Sequence, residues 1–353
     1  MAEVIKNGHW SRGALVAVPF CPMCKGKERA SLGSMHDALR PADDEWQLWS
    51  CCQCQSVWLD PRPDDASIPA AYDFDYVTHR SPQVVQHANW LTSLIDGYLN
   101  YRFNMRRTSA SRWGHLVFSM IPPLRLKLDY FGRHLVRSSG GRLLDVGCGN
   151  GDFVALAQTM GWEAEGVDPD HAAIDACRER GIAVTHGFID DLASEKRSSY
   201  WSAITMSHSL EHVPDPRGML CRMFDMLAPG GALWIALPNP AAIGARFYGL
   251  NWESYDVPRH LCLPSIDVLK SACREAGFEI VEVRRRGAHT GRLYRRSAEI
   301  ARTRGGRGLS ASSSIAGLLS LLTDTLATLS VRYAEENVVV ARKSNNAITR
   351  NSV

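Results

Sequence analysis

The sequence predicts an α/β fold: a parallel sheet with helices on both faces, preceded by a small metal-held module. Three observations lead there. From Gly141 onward, strand-like apolar runs alternate with helical stretches, the pattern of parallel strands joined by crossover helices. The stretch LLDVGCGNGDF, residues 143–153, runs from a buried strand into a turn with glycines at Gly147, Gly149 and Gly151. Upstream, two CxxC pairs, Cys21 with Cys24 and Cys51 with Cys54, repeat one spacing across 26 intervening residues.

A chain of 353 residues with 45% apolar content has room for one large core and a smaller module. Its net charge of +3 does not call for nucleic acid. Residues 1–12 are polar and Ala14 to Phe20 is too short for a signal core, so no secretory pattern is present. Ten cysteines in two clusters and scattered singles fit metal and thiol usage in a reducing compartment, and the expected location is cytoplasmic.

Taken in order, residues 1–65 read as a zinc-ribbon module. Four thiolates at two knuckles match the closed tetrahedron of structural Zn2+, with WQLWS and SVWLD as flanking strands. Cys52, inside the second knuckle, is the spectator unless it replaces Cys51 as ligand. A proline-rich exit leads to residues 66–138, a helical connector or lid interrupted at Ile121 to Pro123. Residues 139–345 form the sheet domain. After LLDV come EAEGVD, IAVTHG, SAITMS, ALWIALP, EIVEVRR and NVVVARK, with a helical insertion over 287–335 and a tail at 346–353.

The glycine turn departs from the dinucleotide pattern, because Asp152 stands where the third glycine belongs. Its spacing is G-x-G-x-G, and Asp145 lies two residues ahead of the first glycine. A carboxylate there repels a pyrophosphate and suits a ligand bearing an ammonium and a sulfonium. Asp168 ends the second strand 23 residues later, where it can accept both ribose hydroxyls. The pair fits S-adenosyl-L-methionine.

The motifs LLDVGCGNG, GVDPD, HSLEHVPDP, LAPGGALWIALPN and PRHLCL followed by REAGFEIVEV resemble class I S-adenosylmethionine-dependent methyltransferases, and most of all the ubiquinone-biosynthesis O-methyltransferase group and relatives with an N-terminal zinc ribbon. The resemblance implies a Rossmann-like, seven-stranded sheet whose last strand is antiparallel and inserts beside the fifth. It implies cofactor contacts from Asp145, the backbone of Gly147, Cys148, Gly149 and Gly151, Asp168 on the ribose, and Pro169 along the adenine. It also implies Ile189 and Asp190 at the adenine, with Asp191 as the alternative in that loop, and His208 facing the reacting methyl group. One departure is visible: Trp201 and Ser202 replace the acidic residue that often opens the fourth strand.

Methyl transfer is an in-line displacement, so the protein supplies alignment and a base. The candidate bases are His208, His212 and His260, with Glu211 to orient an imidazole or bind a cation. The alternative is that Glu211 and His212 only tie down their loop and that Arg259 forms a surface salt bridge. Tyr72 and Tyr76 resemble a lid over the cofactor. SHSLEH is unlike the motif of amino-group methylation of bases, which favours a small-molecule acceptor, expected at an oxygen of a sugar, phenol or other metabolite. An RNA methyltransferase is the runner-up because of the zinc module and short arginine runs, and a non-catalytic cofactor-binding protein is the third reading.

In the insertion, Ile315, Leu318, Leu319, Leu322, Leu326 and Leu329 recur at helical spacing. The first expectation is a soluble cover that buries this stripe on the domain. The second is peripheral membrane contact through residues 309–330, with Arg302, Arg304 and Arg307 toward anionic lipid.

Overall fold

The computed structural model describes residues 4–5, 10–40, 44–72, 89–135, 140–305 and 307–346. The N-terminal module holds β1 (Val4–Ile5), β2 (Leu15–Val16), β3 (Arg29–His36), β4 (Glu45–Cys51), β5 (Val57–Leu59) and β6 (Arg62–Pro63). The connector follows as α1 (Trp90–Phe103), α2 (Gly114–Ser119) and α3 (Pro122–Phe131), broken at Ile121 as the prolines require.

The sheet domain begins with β7 (Arg142–Val146), α4 (Asp152–Thr159), β8 (Glu163–Asp168), α5 (His171–Glu179) and β9 (Val184–His186). It continues through β10 (Trp201–Ser207), α6 (Pro216–Met226), β11 (Leu227–Pro238), α7 (Ile243–Tyr248), β12 (Cys262–Leu263), α8 (Ile266–Glu275) and β13 (Ile280–Arg284). The insertion is α9 (Thr290–Thr303) and α10 (Ser313–Leu329), and β14 (Glu336–Arg342) closes the domain.

The seven-stranded order is β13-β14-β11-β10-β7-β8-β9. β14 runs antiparallel between β11 and β13, so the last strand enters beside the fifth as expected. One face of the sheet packs α6 and α8 around Leu220, Met223 and Leu269, and the other packs α4, α5 and α1 around Val154, Cys177 and Leu99. Trp201 is fully buried, donating through Nε1 to the Lys196 carbonyl at 2.9 Å, and so fills the position where an acid was expected.

The cysteine module is continuous with this domain. β12, from PRHLCL, pairs antiparallel with β5 to extend a second sheet of order β12-β5-β4-β3. Cys21, Met23 and Trp58 share the core of α6 and α8, while Trp46, Leu48 and Leu59 join Trp252, Tyr294 and Ala316 in another.

The insertion departs from the expected packing. The buried residues of α10 are Ala316, Ser320, Thr323 and Ala327, while Leu318, Leu322 and Leu329 of the predicted stripe are exposed. The reason lies on α9, which meets α10 with the hydroxyls of Thr290 and Tyr294. Tyr294 Oη donates to Thr323 Oγ1 at 3.0 Å, and Thr290 Oγ1 donates to the Ser320 carbonyl at 3.0 Å. Asp324 Oδ1 accepts from the backbone N–H groups of His289 and Thr290 at 3.2 and 3.3 Å, at the start of α9. Buried polar groups need partners, so the polar side of α10 turns inward; Ile315, Leu319 and Leu326 are half-buried, and Leu318, Leu321, Leu322 and Leu329 turn out. Arg304 is also not lipid-facing: it donates to the carbonyls of Leu250 and His36. Among the described residues no helix is long and apolar enough to cross a membrane.

Candidate active site and metal centre

The glycine turn follows β7, with Gly147, Gly149 and Gly151 all at positive φ (70°, 52° and 76°), a conformation that costs L side chains and frees backbone N–H groups for a ligand. A Cβ at Gly147 would stand 2.2 Å from Ser209 Oγ, so this turn is pressed against the loop after β10. Cys148 is buried, and burial pushes its thiol pKa up, which leaves it a neutral packing group.

Asp168 joins two strand ends. Its Oδ2 accepts from Gly149 N at 2.8 Å and its Oδ1 from Asp170 N at 2.9 Å. Burial raises its pKa, and those backbone N–H bonds pull it back down. Pro169 is exposed beside it, its carbonyl 3.0 Å from His186 Nε2.

Asp145 is completely buried at the edge of the same turn. Arg133 and Thr205 both donate to its Oδ1, the latter at 2.9 Å, while Oδ2 has no hydrogen-bond partner among the described residues. The Arg133 guanidinium also lies 3.6 Å above the Phe153 ring. A buried, unpaired acceptor beside a glycine turn is an observation in favour of an ammonium-bearing ligand. Arg133 and Thr205 escaped the sequence reading, because nothing local marks an arginine that reaches a strand 12 residues on.

The adenine-side residues divide. Ile189 is buried in the core, whereas Asp190 is exposed and paired with Arg222. Asp191 Oδ2 accepts from Phe188 N at 2.7 Å, and the exposed apolar group of this turn is Phe188 itself. Gly187 N donates to the Asp168 carbonyl at 2.9 Å, which keeps the Phe188 turn next to the proposed ribose carboxylate.

His208, Glu211, His212 and His260 come together at the carboxyl edge of the sheet. His208 caps β10 at positive φ, with Nδ1 3.5 Å from Glu211 Oε1 and Nε2 3.4 Å from Glu336 Oε1. Desolvation pulls its pKa down, but Glu336, Tyr130 and Glu211 outweigh this and raise it well above the imidazole range. His260 is the opposite case. Its Nδ1 lies 2.7 Å from the Ser254 carbonyl, which fixes the tautomer, and its Nε2 faces Glu211 Oε1 at 3.9 Å. Burial and the neighbouring His212 lower its pKa to about 4, so it stays neutral. His212 Nδ1 lies 2.7 Å from the Tyr72 hydroxyl and 2.9 Å from the Arg259 carbonyl. Tyr76 lies outside the described residues.

Glu211 is fully buried, and neither carboxylate oxygen makes a hydrogen bond among the described residues. The donor atoms of Glu211, His212 and His260 all lie within 4.8 Å of one another, a set able to take a divalent cation.

Behind this cluster, Arg259 does not form the surface salt bridge of the alternative expectation. Its side chain is fully buried and forks onto Asp37, Nη2 to Oδ1 at 2.7 Å and Nη1 to Oδ2 at 2.9 Å, while Nε meets Asp256 at 3.0 Å. Asp37 follows β3, so the cysteine module grips the residue between the His212 contact and His260.

The four module cysteines bring their sulfurs within 4.8 Å of one another, with Cys21–Cys54 at 3.6 Å and Cys24–Cys51 at 3.4 Å. A zinc tetrahedron with bonds of about 2.3 Å sets its sulfurs about 3.8 Å apart, so the cage fits. The knuckles repeat: Lys25 N and Gln55 N donate to the Cys21 and Cys51 carbonyls at 2.9 Å, both residues at φ 61°. Cys52 is exposed and outside the set.

Residues 120–283 match the family model described as a methyltransferase domain. The chain is 30% identical over 142 residues to a ubiquinone biosynthesis O-methyltransferase from Xanthomonas axonopodis pv. citri (strain 306), covering 38% of this chain and 59% of that protein. The chain therefore spans about three fifths of the length of the curated relatives it matches. Among solved structures it is similar to an S-adenosylmethionine-dependent methyltransferase from Archaeoglobus fulgidus (21% identity, 70% of this chain, 100% of that one, TM-score 0.43). Another is a Haemonchus contortus phosphoethanolamine N-methyltransferase in complex with S-adenosyl-L-methionine (18% identity, 88% of this chain, 71% of that one, TM-score 0.41).

Proposed function

We propose that this chain, whose residues 120–283 match a methyltransferase-domain family model, is an S-adenosylmethionine-dependent methyltransferase that acts on a hydroxyl of a small molecule. The observation that carries this reading is the contact of the glycine turn with the Ser209 loop, which puts a cofactor cradle against a histidine–glutamate cluster. The O-methyltransferase relatives support oxygen as the acceptor atom.

In this reading Asp168 holds the ribose, Asp145 Oδ2 takes the ammonium, and Arg133 stands ready for the amino-acid carboxylate. Bound there, S-adenosylmethionine supplies an electrophilic methyl carbon on a sulfonium. His260 is assigned as the base. Its Nδ1–H is committed to the Ser254 carbonyl, so Nε2 accepts the proton of the acceptor hydroxyl as the oxygen–carbon bond forms. Glu211 then faces the imidazolium. His208, held between two carboxylates as a cation, orients the loop and is a poor proton acceptor.

The Glu211 carboxylate, buried and accepting no hydrogen bond among the described residues, favours one second reading: a divalent cation on Glu211, His212 and His260 that polarises the acceptor hydroxyl. Activity lost to chelator and restored by magnesium or manganese without zinc would select it. The cofactor assignment is tested by calorimetry. Asp168→Ala should weaken S-adenosylmethionine by about 1.5–3 kcal/mol, the scale of hydrogen bonds to charged groups, and NAD should give no heat. Equal affinity in the variant refutes the ribose role.

A further inference from the structure

We infer that the outward face of α10 is a docking surface for an anionic lipid bilayer. Leu318, Leu321, Leu322 and Leu329 are 68%, 68%, 53% and 71% exposed, an apolar row along a helix of 17 residues whose one charge, Asp324, turns inward. Such a helix is about 25 Å long. A soluble protein ordinarily buries a row of this kind. Here the inward face is committed to the hydroxyls of α9, so no rotation of α10 can bury the leucines without breaking the bonds from Thr290 Oγ1 to the Ser320 carbonyl and from Tyr294 Oη to Thr323 Oγ1. The apolar surface continues onto α2 and α3, where Leu116, Met120 and Leu124 are exposed and α3 packs against α10.

The border of this face selects the occupant. Arg285 donates to the Leu329 carbonyl at 3.3 Å at the end of α10, with exposed Arg332 and Tyr333 just beyond it. Along α9, which packs beside α10, Arg295 and Arg302 are exposed two helical turns apart. Arg285, Arg295, Arg302 and Arg332 form no ion pair among the described residues. Leucines flanked by arginines and a tyrosine suit the acyl and headgroup layers of a bilayer. A second copy of the chain would bring arginine to arginine, since the nearby acids are already spent: Glu299 on Arg296 and Glu336 on Arg286. The chain leaves α10 directly for Glu336, the partner of His208, so a membrane-borne acceptor would enter next to the site. That last consequence rests on the methyltransferase reading; the docking does not.

Flotation of the full chain with phosphatidylcholine vesicles, with and without phosphatidylglycerol, tests the docking without reference to activity. The protein should float with the phosphatidylglycerol vesicles at low salt, lose much of that binding at high salt, and stay down with phosphatidylcholine alone. Leu318→Asp with Leu322→Asp should cut binding about tenfold or more while keeping the zinc content and thermal transition of the parent. Leu318→Gln with Leu322→Gln serves if the aspartates unfold the chain. No flotation of the parent, or equal flotation of both variants or with both vesicles, overturns the inference. So does a parent dimer in sedimentation that the leucine variants make monomeric, because the face then belongs to a second copy.

Discussion

The cysteine module and the α9–α10 insertion are both additions to the same seven-stranded sheet, and they are attached in opposite ways. The module presents its large apolar residues inward: Met23 and Trp58 enter the core of α6 and α8, and Asp37 pairs with the fully buried Arg259. The last helix of the insertion, α10, presents its small and polar residues inward and leaves four leucines in solvent. A module knitted into the core by burial and charge acts as part of the site's frame. A helix pair that reaches the core through Tyr294 and Ala316, is joined through hydroxyls and keeps its leucines outside leaves one face free to meet something else. The difference teaches that an accessory element's inward face, and not its overall apolarity, says what it serves.

The strongest way to break this comparison is to take away the metal. Cys24→Ser should drop copurified zinc from one per chain to none, and because structural zinc contributes about 10–16 kcal/mol to small cages, the module should unfold. Since β12 is a strand of that module's sheet, methyl transfer should fall with it. Full turnover in zinc-free protein, by elemental analysis beside the assay, would make the module a detachable appendage.

Arg259→Ala is next. It takes the fork from the buried Asp37 and leaves Arg12, 3.9 Å away, as its nearest remaining cation, which should cost about 3–5 kcal/mol in urea denaturation. Arg259→Lys keeps the charge and loses the fork, so it should recover part of the stability and little of the turnover. Loss below 1 kcal/mol, about the ceiling for an exposed pair, would say the grip is dispensable.

The pH dependence sharpens the same side. His260 must be neutral to accept a proton, and its pKa sits near 4 in place of the ordinary 6.5. Protonation sets in only as pH falls, so the acid limb of kcat/KM should lie near pH 4 and the rate should be flat through 6.5. A limb near 6.5 would move the base elsewhere.

The smallest effect belongs to the insertion. Leu318→Ala and Leu321→Ala should change stability by less than about 0.5 kcal/mol, as exposed substitutions do, and leave cofactor affinity untouched. Core-sized losses in a thermal melt would mean the leucines are buried after all.

What was legible in the sequence follows the range of the forces involved. β7, its glycine turn, α4 and β8 are written in contiguous residues, since a buried strand and a left-handed turn each leave a local signature. The clustering of Cys21, Cys24, Cys51 and Cys54 was legible for the same reason. β12 was not: a two-residue strand has no pattern, and its partner, Trp58, lies some 200 residues away. Asp37 with Arg259, and Arg133 with Asp145, are likewise tertiary pairs that no window contains. The periodicity of α10 was visible, but which side faced the protein was decided by Tyr294 and Thr290 on another helix.

One measurement bears most directly on the central claim. The purified chain is given methyl-labelled S-adenosylmethionine with a fractionated metabolite extract, a lipid extract and total RNA in parallel. The account predicts label on a hydroxyl-bearing small molecule or lipid, lost in His260→Ala and kept in Leu321→Ala when the acceptor is supplied in detergent. Label in RNA, or no label anywhere from protein that binds the cofactor in calorimetry, would contradict it.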